Sequence, residues 1–115
     1  MRDEGSANLL RLIASIAERD VLRYTPAGIP IVNARLLHES EQVEAGVVRK
    51  VEFEIAALAA GEVSGRFNRA PLGAVMAFTG FLARKGRNSK GLVFHVTNLE
   101  TQPSDTDTGA QDGIR

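Results

Sequence analysis

Apolar and polar residues alternate along much of this chain, which is the pattern of β-strands that bury one face. The alternation is clearest between residues 47 and 55, where apolar and charged side chains fall on opposite faces: Val51, Phe53 and Ile55 against Lys50, Glu52 and Glu54. Four further segments alternate more loosely: residues 8–18, 29–38, 73–83 and 92–99. The pattern therefore predicts five strands, the third of which runs to about Leu58.

Glycine, proline and polar residues separate the predicted strands and suit hairpins or short loops. The connection after the third strand differs, because alanine and leucine in residues 54–60 also favour a helix and the longer loop 61–71 has room for a short one. Five antiparallel strands with one long central connection are typical of the OB-fold. We therefore predict an all-β protein, a five-stranded antiparallel OB-fold barrel over residues 8–100, with disordered tails at residues 1–7 and, acidic, at residues 101–115.

Composition narrows the classes of function. The 115 residues suffice for one domain, and the absence of cysteine excludes disulfides, thiolate catalysis and cysteine-ligated metals. The longest apolar run, residues 55–60, is far shorter than the ~20 residues of a membrane-spanning helix. We expect a soluble, cytoplasmic protein with no membrane partner.

Charge is distributed unevenly, although 14 basic and 14 acidic residues give a net charge of zero. Residues 63–99 contain six bases and no acid, whereas residues 8–62 contain eight acids and six bases. Four of the six basic residues in 63–99 fall in a loop rich in glycine, asparagine and serine: Arg84, Lys85, Arg87 and Lys90. Such a loop suits contact with a phosphate backbone, and a solvated hairpin tip that prevents aggregation is the alternative.

Aromatic residues are scarce: the chain has no Trp, one Tyr and five Phe. Proteins that bind single-stranded nucleic acid commonly stack bases on exposed rings. Tyr24 and Phe67, in predicted loops beside polar residues, are the best candidates for stacking. The other four phenylalanines lie in apolar strands: Phe53, Phe78, Phe81 and Phe94. We predict that at least three of these four pack in the core.

Catalytic and metal-binding motifs are missing from the sequence. His38 and His95 lack a third ligand at metal-binding spacing, and Glu39, Glu41 and Glu44 look like a solvated, charged segment. No phosphate-binding loop, nucleophile elbow or catalytic triad is present in the sequence. We therefore predict a protein that is not an enzyme, with no catalytic residue, no metal site and no cofactor.

Several short motifs stand at fixed spacing along residues 8–100. The most specific are TPAGIP at residues 25–30, HES at 38–40 and EAG at 44–46; NLLRL at 8–12, FTGFL at 78–82 and SKGLVFH at 89–95 accompany them. Together they resemble the primosomal replication protein N (PriB) family of the single-stranded DNA-binding superfamily.

The resemblance implies a homodimeric OB-fold that binds single-stranded DNA during replication restart. It also implies stimulation of the PriA helicase and contact with helicase-loading proteins. The family holds DNA with the loop between its last two strands and with its second and third strands. The DNA-binding set implied here is Arg84, Lys85, Arg87 and Lys90 in the loop and Arg49, with its neighbour Lys50, on the third strand; Tyr24 and Phe67 join the set as stacking candidates.

Three positions depart from a branch of the family that stacks bases on aromatic rings. Glu52 stands in place of a tryptophan, Val47 of a phenylalanine and Glu39 of an arginine. Loss of a ring removes about 1–3 kcal/mol of stacking, and a carboxylate repels phosphates. We therefore expect weaker and more electrostatic DNA binding, with a log–log salt slope near −2.8 for about four phosphate contacts.

Two alternatives remain open from the sequence. A general single-stranded DNA-binding protein usually ends in an acidic tail with a terminal aromatic residue, and this chain ends Gly-Ile-Arg. A protein-interaction OB module with little DNA binding would use the mixed charges of Lys50, Glu52 and Glu54.

Overall fold

The computed structural model describes residues 4–102, in which five long strands, one two-residue strand and a short helix form a barrel. The elements follow the chain in this order: β1 (Leu10–Arg19), β2 (Arg23–Tyr24), β3 (Pro30–Glu44), β4 (Val47–Ala60), α1 (Val63–Arg69), β5 (Val75–Arg84) and β6 (Leu92–Thr101). The five long strands are those predicted from the alternation. β2 is an addition that pairs with the start of β3.

The barrel closes because β1 pairs with both β3 and β5, so that the strands run β1-β5-β6-β4-β3 and back to β1. The all-β OB-fold prediction is confirmed, but the barrel is not wholly antiparallel: β4 and β6 are parallel at residues 56–59 and 93–96. Five strands cannot alternate in direction around a closed ring, so at least one neighbouring pair must be parallel.

The core lies inside the barrel, where alternate residues of each strand point. β1 and β3 supply Leu12, Ala14, Ile16, Val32, Ala34 and Leu36, and β5 and β6 supply Phe78, Phe94, Val96 and Leu99, all buried. Helix α1 covers one end of the barrel with Phe67, whose ring is fully buried and meets Phe78 edge to face at 6.1 Å between centroids. The prediction of Phe67 as an exposed loop residue is therefore wrong, because its ring fills the space between the helix and the sheet.

Helix α1 is fixed to the barrel by two arginines. Arg19 of β1 donates hydrogen bonds to the carbonyls of Phe67 and Ala70 at the end of the helix. Arg66 of α1 donates to the carbonyl of Leu99, at 2.7 Å, and to the side chain of Asn98, at 2.8 Å. Carbonyls at the end of a helix lack partners within it, so Arg19 satisfies groups that would otherwise need water.

The strand ends differ from prediction in two places. β3 continues past the predicted end at His38 to Glu44, so that β3 and β4 form a long hairpin in which residues 41–50 are all exposed. At the N-terminus, Glu4–Ser6 form a 3-10 turn inside the segment predicted as a disordered tail. β6 includes Thr101, and the rest of the predicted tails, residues 1–3 and 103–115, lies outside the described residues.

None of the helices in residues 4–102 is long and apolar enough to cross a membrane.

Candidate nucleic-acid interface

A groove of about 480 Å³ lies on the outer face of β3 and β4. The connection from β1 to β3 and the loop between β5 and β6 contribute to its walls. The residues that line the groove include Glu18, Asp20, Arg23, Asn33, Arg35, Leu58, Lys85 and Val93. OB-folds bind oligonucleotides on this face of their second and third long strands, between these two loops.

Side chains of both charges line the groove. Arg23, Arg35 and Lys85 face it together with Glu18 and Asp20, and Arg35 donates to Glu54 at 3.1 Å. The side-chain oxygen of Asn33 is buried and has no hydrogen-bond partner among the described residues. A buried acceptor without a partner raises the free energy of the folded state.

The basic loop, residues 84–91, connects β5 to β6 and is shaped by its own hydrogen bonds. The backbone N–H of Lys85 donates to the carbonyl of Gly91 at 2.9 Å, and the N–H of Gly91 donates to Ser89 Oγ at 3.0 Å. The four predicted DNA-binding bases of the loop are exposed, and none has an ion-pair partner within 4.0 Å in the described part of the chain: Arg84, Lys85, Arg87 and Lys90. Lys85 itself lines the groove, and the other three basic residues lie in the same exposed loop.

Arg49 and Lys50 lie on the exposed hairpin and do not line the groove. Arg49 is 3.2 Å from Glu44 across the turn, in an ion pair that is mostly exposed, and Lys50 stands opposite Glu41. Each base therefore has a carboxylate beside it, which weakens its attraction for phosphate.

The outer face of the hairpin is acidic. Glu39 and Glu52 are direct cross-strand partners, and Glu41 and Glu54 lie on the same face. Like charges directly opposite each other are destabilising. The carboxylates that distinguish this sequence thus lie together beyond the groove and repel a phosphate backbone.

Tyr24, in β2, leaves 67% of its surface exposed and remains a candidate for base stacking. Phe67 is not available for base stacking, because its ring is fully buried.

Among the other phenylalanines, Phe78 and Phe94 are core residues as predicted, whereas Phe53 and Phe81 each expose 39% of their surface. The prediction of at least three core phenylalanines is therefore wrong. Phe78 and Phe81 are three residues apart in one strand, which places them on opposite faces and could have revealed the error.

Both histidines stack on the two exposed phenylalanines across a strand pair. His38 lies 5.0 Å from Phe53, and His95 lies 4.9 Å from Phe81 with only 8° between the ring planes. His38 is buried, and its ring nitrogens lie 2.7 Å from the carbonyl oxygen of Ile13 and from Ser40 Oγ. These contacts make His38 a hydrogen-bonded structural residue. Within residues 4–102, no group of three or more histidines and carboxylates is arranged to hold a metal ion.

Comparison with known proteins decides the family. A family model described as "another single-strand binding protein family" matches residues 8–98. The replication restart protein PriB of Nitrosomonas europaea is 42% identical over 95 residues, which cover 81% of this chain and 88% of the relative. The PriB of Neisseria gonorrhoeae is 36% identical over 96 residues, which cover 84% and 95%.

This chain belongs to the PriB family. A solved PriB structure from Ralstonia solanacearum superposes with a TM-score of 0.78 at 46% identity, over 84% of this chain and 99% of that one. The single-stranded DNA-binding protein of Thermus aquaticus, at 18% identity, has a TM-score of 0.65 over 84% of this chain and half of that one, which shows the shared OB-fold alone. PriB relatives are named for replication restart and the matching family for single-strand binding, and neither name describes an enzyme.

Proposed function

We propose that this protein binds single-stranded DNA as a non-enzymatic component of the replication restart machinery. The bases of the DNA lie in the groove on β3 and β4, and its phosphates contact the basic loop. The observation that carries the proposal is a loop with four exposed basic side chains that have no ion-pair partner in residues 4–102, one of which, Lys85, lines the OB-fold groove. Membership of the PriB family supports it.

Charge supplies most of the affinity in this proposal. The groove contains no tryptophan or phenylalanine, and the hairpin next to it presents carboxylates. The four basic residues of the loop, which include Lys85, therefore supply most of the attraction for DNA. Four phosphate contacts on a single strand give a log–log salt slope of about −2.8.

Fluorescence anisotropy of a labelled oligonucleotide across a salt series tests the proposal. The variant with alanine at residues 84, 85, 87 and 90 should lose most of its affinity, and its slope should fall toward zero as phosphate contacts are removed. Arg69→Ala is a control for loss of a single positive charge away from the groove, because Arg69 is exposed at the end of α1 and does not line the groove. An affinity of the wild-type protein that barely changes with salt would contradict the proposal.

Partners are the second part of the proposal. We infer that the protein forms a homodimer, stimulates the PriA helicase and assists the helicase-loading proteins at a stalled fork, as the family resemblance implies. The long hairpin is suited to protein contact, because Val43 and Val48 are paired on its outer face and expose 72% and 60% of their surface. Exposed apolar side chains at the end of a projecting hairpin are available to a partner.

The acidic outer face of the hairpin favours a second candidate function. In that case the protein is an OB module that binds other proteins and contacts DNA little. The four-residue alanine variant separates the two functions: if DNA binding drives helicase stimulation, both activities are lost together. If protein contact drives it, stimulation of PriA remains at the wild-type level while DNA binding disappears.

A further inference from the structure

Phe81 and His95 form a stacked aromatic pair on the outside of the barrel. They are cross-strand partners in β5 and β6, and their rings stack in parallel at 4.9 Å. Gly80 and Leu82, the neighbours of Phe81, face the barrel interior, so the ring of Phe81 points outward. Phe81 still exposes 39% of its surface although His95 covers one side of it.

The Phe81–His95 pair lies beside the groove rather than on a separate part of the barrel. Val93 lines the groove and is two residues before His95 on β6, so the two side chains share a face about 7 Å apart. Leu58, which also lines the groove, is the direct partner of His95 across the parallel β4–β6 pair. A strand of nucleic acid that leaves the groove over Leu58 and Val93 therefore reaches the ring pair next.

Positive charges flank the pair. Lys85 is four residues after Phe81, directly beyond the end of β5, and Arg11 of β1 is the cross-strand partner of Thr79, two residues before Phe81 on the same face. These bases have no ion-pair partner within 4.0 Å in residues 4–102. The carboxylate of β6, Glu100, stands opposite Ala77, which is four residues before Phe81 on β5. The ring pair is thus an apolar surface inside a positive field, which suits a base carried by a phosphate backbone.

We propose that Phe81, supported by His95, is a stacking subsite for a nucleobase of single-stranded DNA just outside the groove. The inference rests on the proposed DNA binding and adds to it the path of the strand, from the groove across β4 and β6 to β5. A stacked ring recognises any base, because every base has a π face. The subsite therefore extends the length of DNA bound without selecting a sequence.

The test uses Phe81→Leu, which removes the ring and keeps an apolar strand residue, with labelled oligothymidylates of increasing length. Short oligonucleotides that fill only the groove should bind the variant and the wild type equally. Longer ones should bind the variant roughly 5-fold or more weakly. The salt slope should stay unchanged, because no phosphate contact is lost. Phe81→Tyr, which keeps an aromatic ring, should bind the longer oligonucleotides as tightly as the wild type.

Val75→Ala is the matched control. Val75 is an exposed apolar residue on the same face of the same strand, about 20 Å from Phe81 at the other end of β5, and its loss should leave binding unchanged at every length. Irradiation of a 5-iodouracil oligonucleotide should attach it to Phe81 in the wild type, as identified by mass spectrometry.

Three results would overturn the subsite. One is equal binding of Phe81→Leu and the wild type at every length; another is an equal loss in the Val75→Ala control. The third is a change in solution mass of the Phe81→Leu variant, which would assign this face to contact with a second copy of the chain. Salt-dependent binding by the wild type together with any of these would leave the proposed DNA binding standing, whereas absence of binding by the wild type would refute the proposed function itself.

Discussion

Gly80 is required by the close approach of β5 and β6. The register between these strands shifts between Thr79 and Gly80, and a Cβ built on Gly80 would collide with the backbone carbonyl of His95 and lie 2.9 Å from the ring of Phe94. Gly80→Ala should lower the free energy of unfolding by about 1–3 kcal/mol, because the strands must move apart to accept a methyl group. Urea denaturation measures the change. Gly86→Ala, where no atom lies within 4 Å of the added methyl, should stay within about 0.5 kcal/mol of the wild type.

Ala45 adopts a conformation that alanine avoids. In the hairpin turn, Ala45 has φ 54° and Gly46 has φ 79°, and Ala45 is the one described residue other than glycine with positive φ. Asparagine tolerates this region and is preferred before glycine in two-residue hairpin turns. Ala45→Asn should therefore raise the free energy of unfolding by about 0.5–1 kcal/mol in urea denaturation. Ala27→Asn, at an exposed turn residue with ordinary φ, should have no such effect, and an equal gain there would contradict the explanation.

At the level of elements, the sequence predicted the five long strands because alternate burial and turn residues are local signals. The basic loop was found for the same reason, since its four charges lie within seven residues. The DNA-binding role of these residues stays a prediction. Phe67 was misplaced because a seven-residue helix leaves little periodicity to read, and its burial depends on Phe78, which is remote until the barrel forms. The parallel β4–β6 pair is likewise a consequence of closure and has no local signal.

The acidic face of the β3–β4 hairpin lowers both the stability of the fold and the affinity for DNA. Glu39 lies directly opposite Glu52, so the two carboxylates repel each other, and both repel phosphate. Glu52→Lys should raise the free energy of unfolding by about 0.5 kcal/mol, by replacing a repulsive cross-strand pair with an attractive one. It should also strengthen DNA binding and make the log–log salt slope more negative by about 0.7 if the new lysine contacts a phosphate. Glu52→Gln separates the effects, because it removes the repulsion and adds no positive charge, so its slope should match that of the wild type.

At the scale of the whole molecule, the net charge does not describe the local charge of the surfaces that a partner contacts. The net charge of the chain is zero, yet the basic loop and the acidic hairpin face present opposite fields from different strand pairs. Electrostatic steering depends on such local fields rather than on the sum. We therefore expect DNA to approach from the side of the basic loop and protein partners to contact the hairpin.

The proposed homodimer has a measurable consequence for this arrangement. Light scattering should give a mass of about twice the 12.4 kDa of one chain. Two protomers bring two basic loops, so a short oligonucleotide that reaches one loop should give a log–log salt slope near −2.8, and one long enough to reach both should give about −5.6. Affinity for the long oligonucleotide should rise more than its extra length explains, because binding of the second site is intramolecular. A mass near 12.4 kDa, with one slope at every oligonucleotide length, would mean that a single chain is the binding unit.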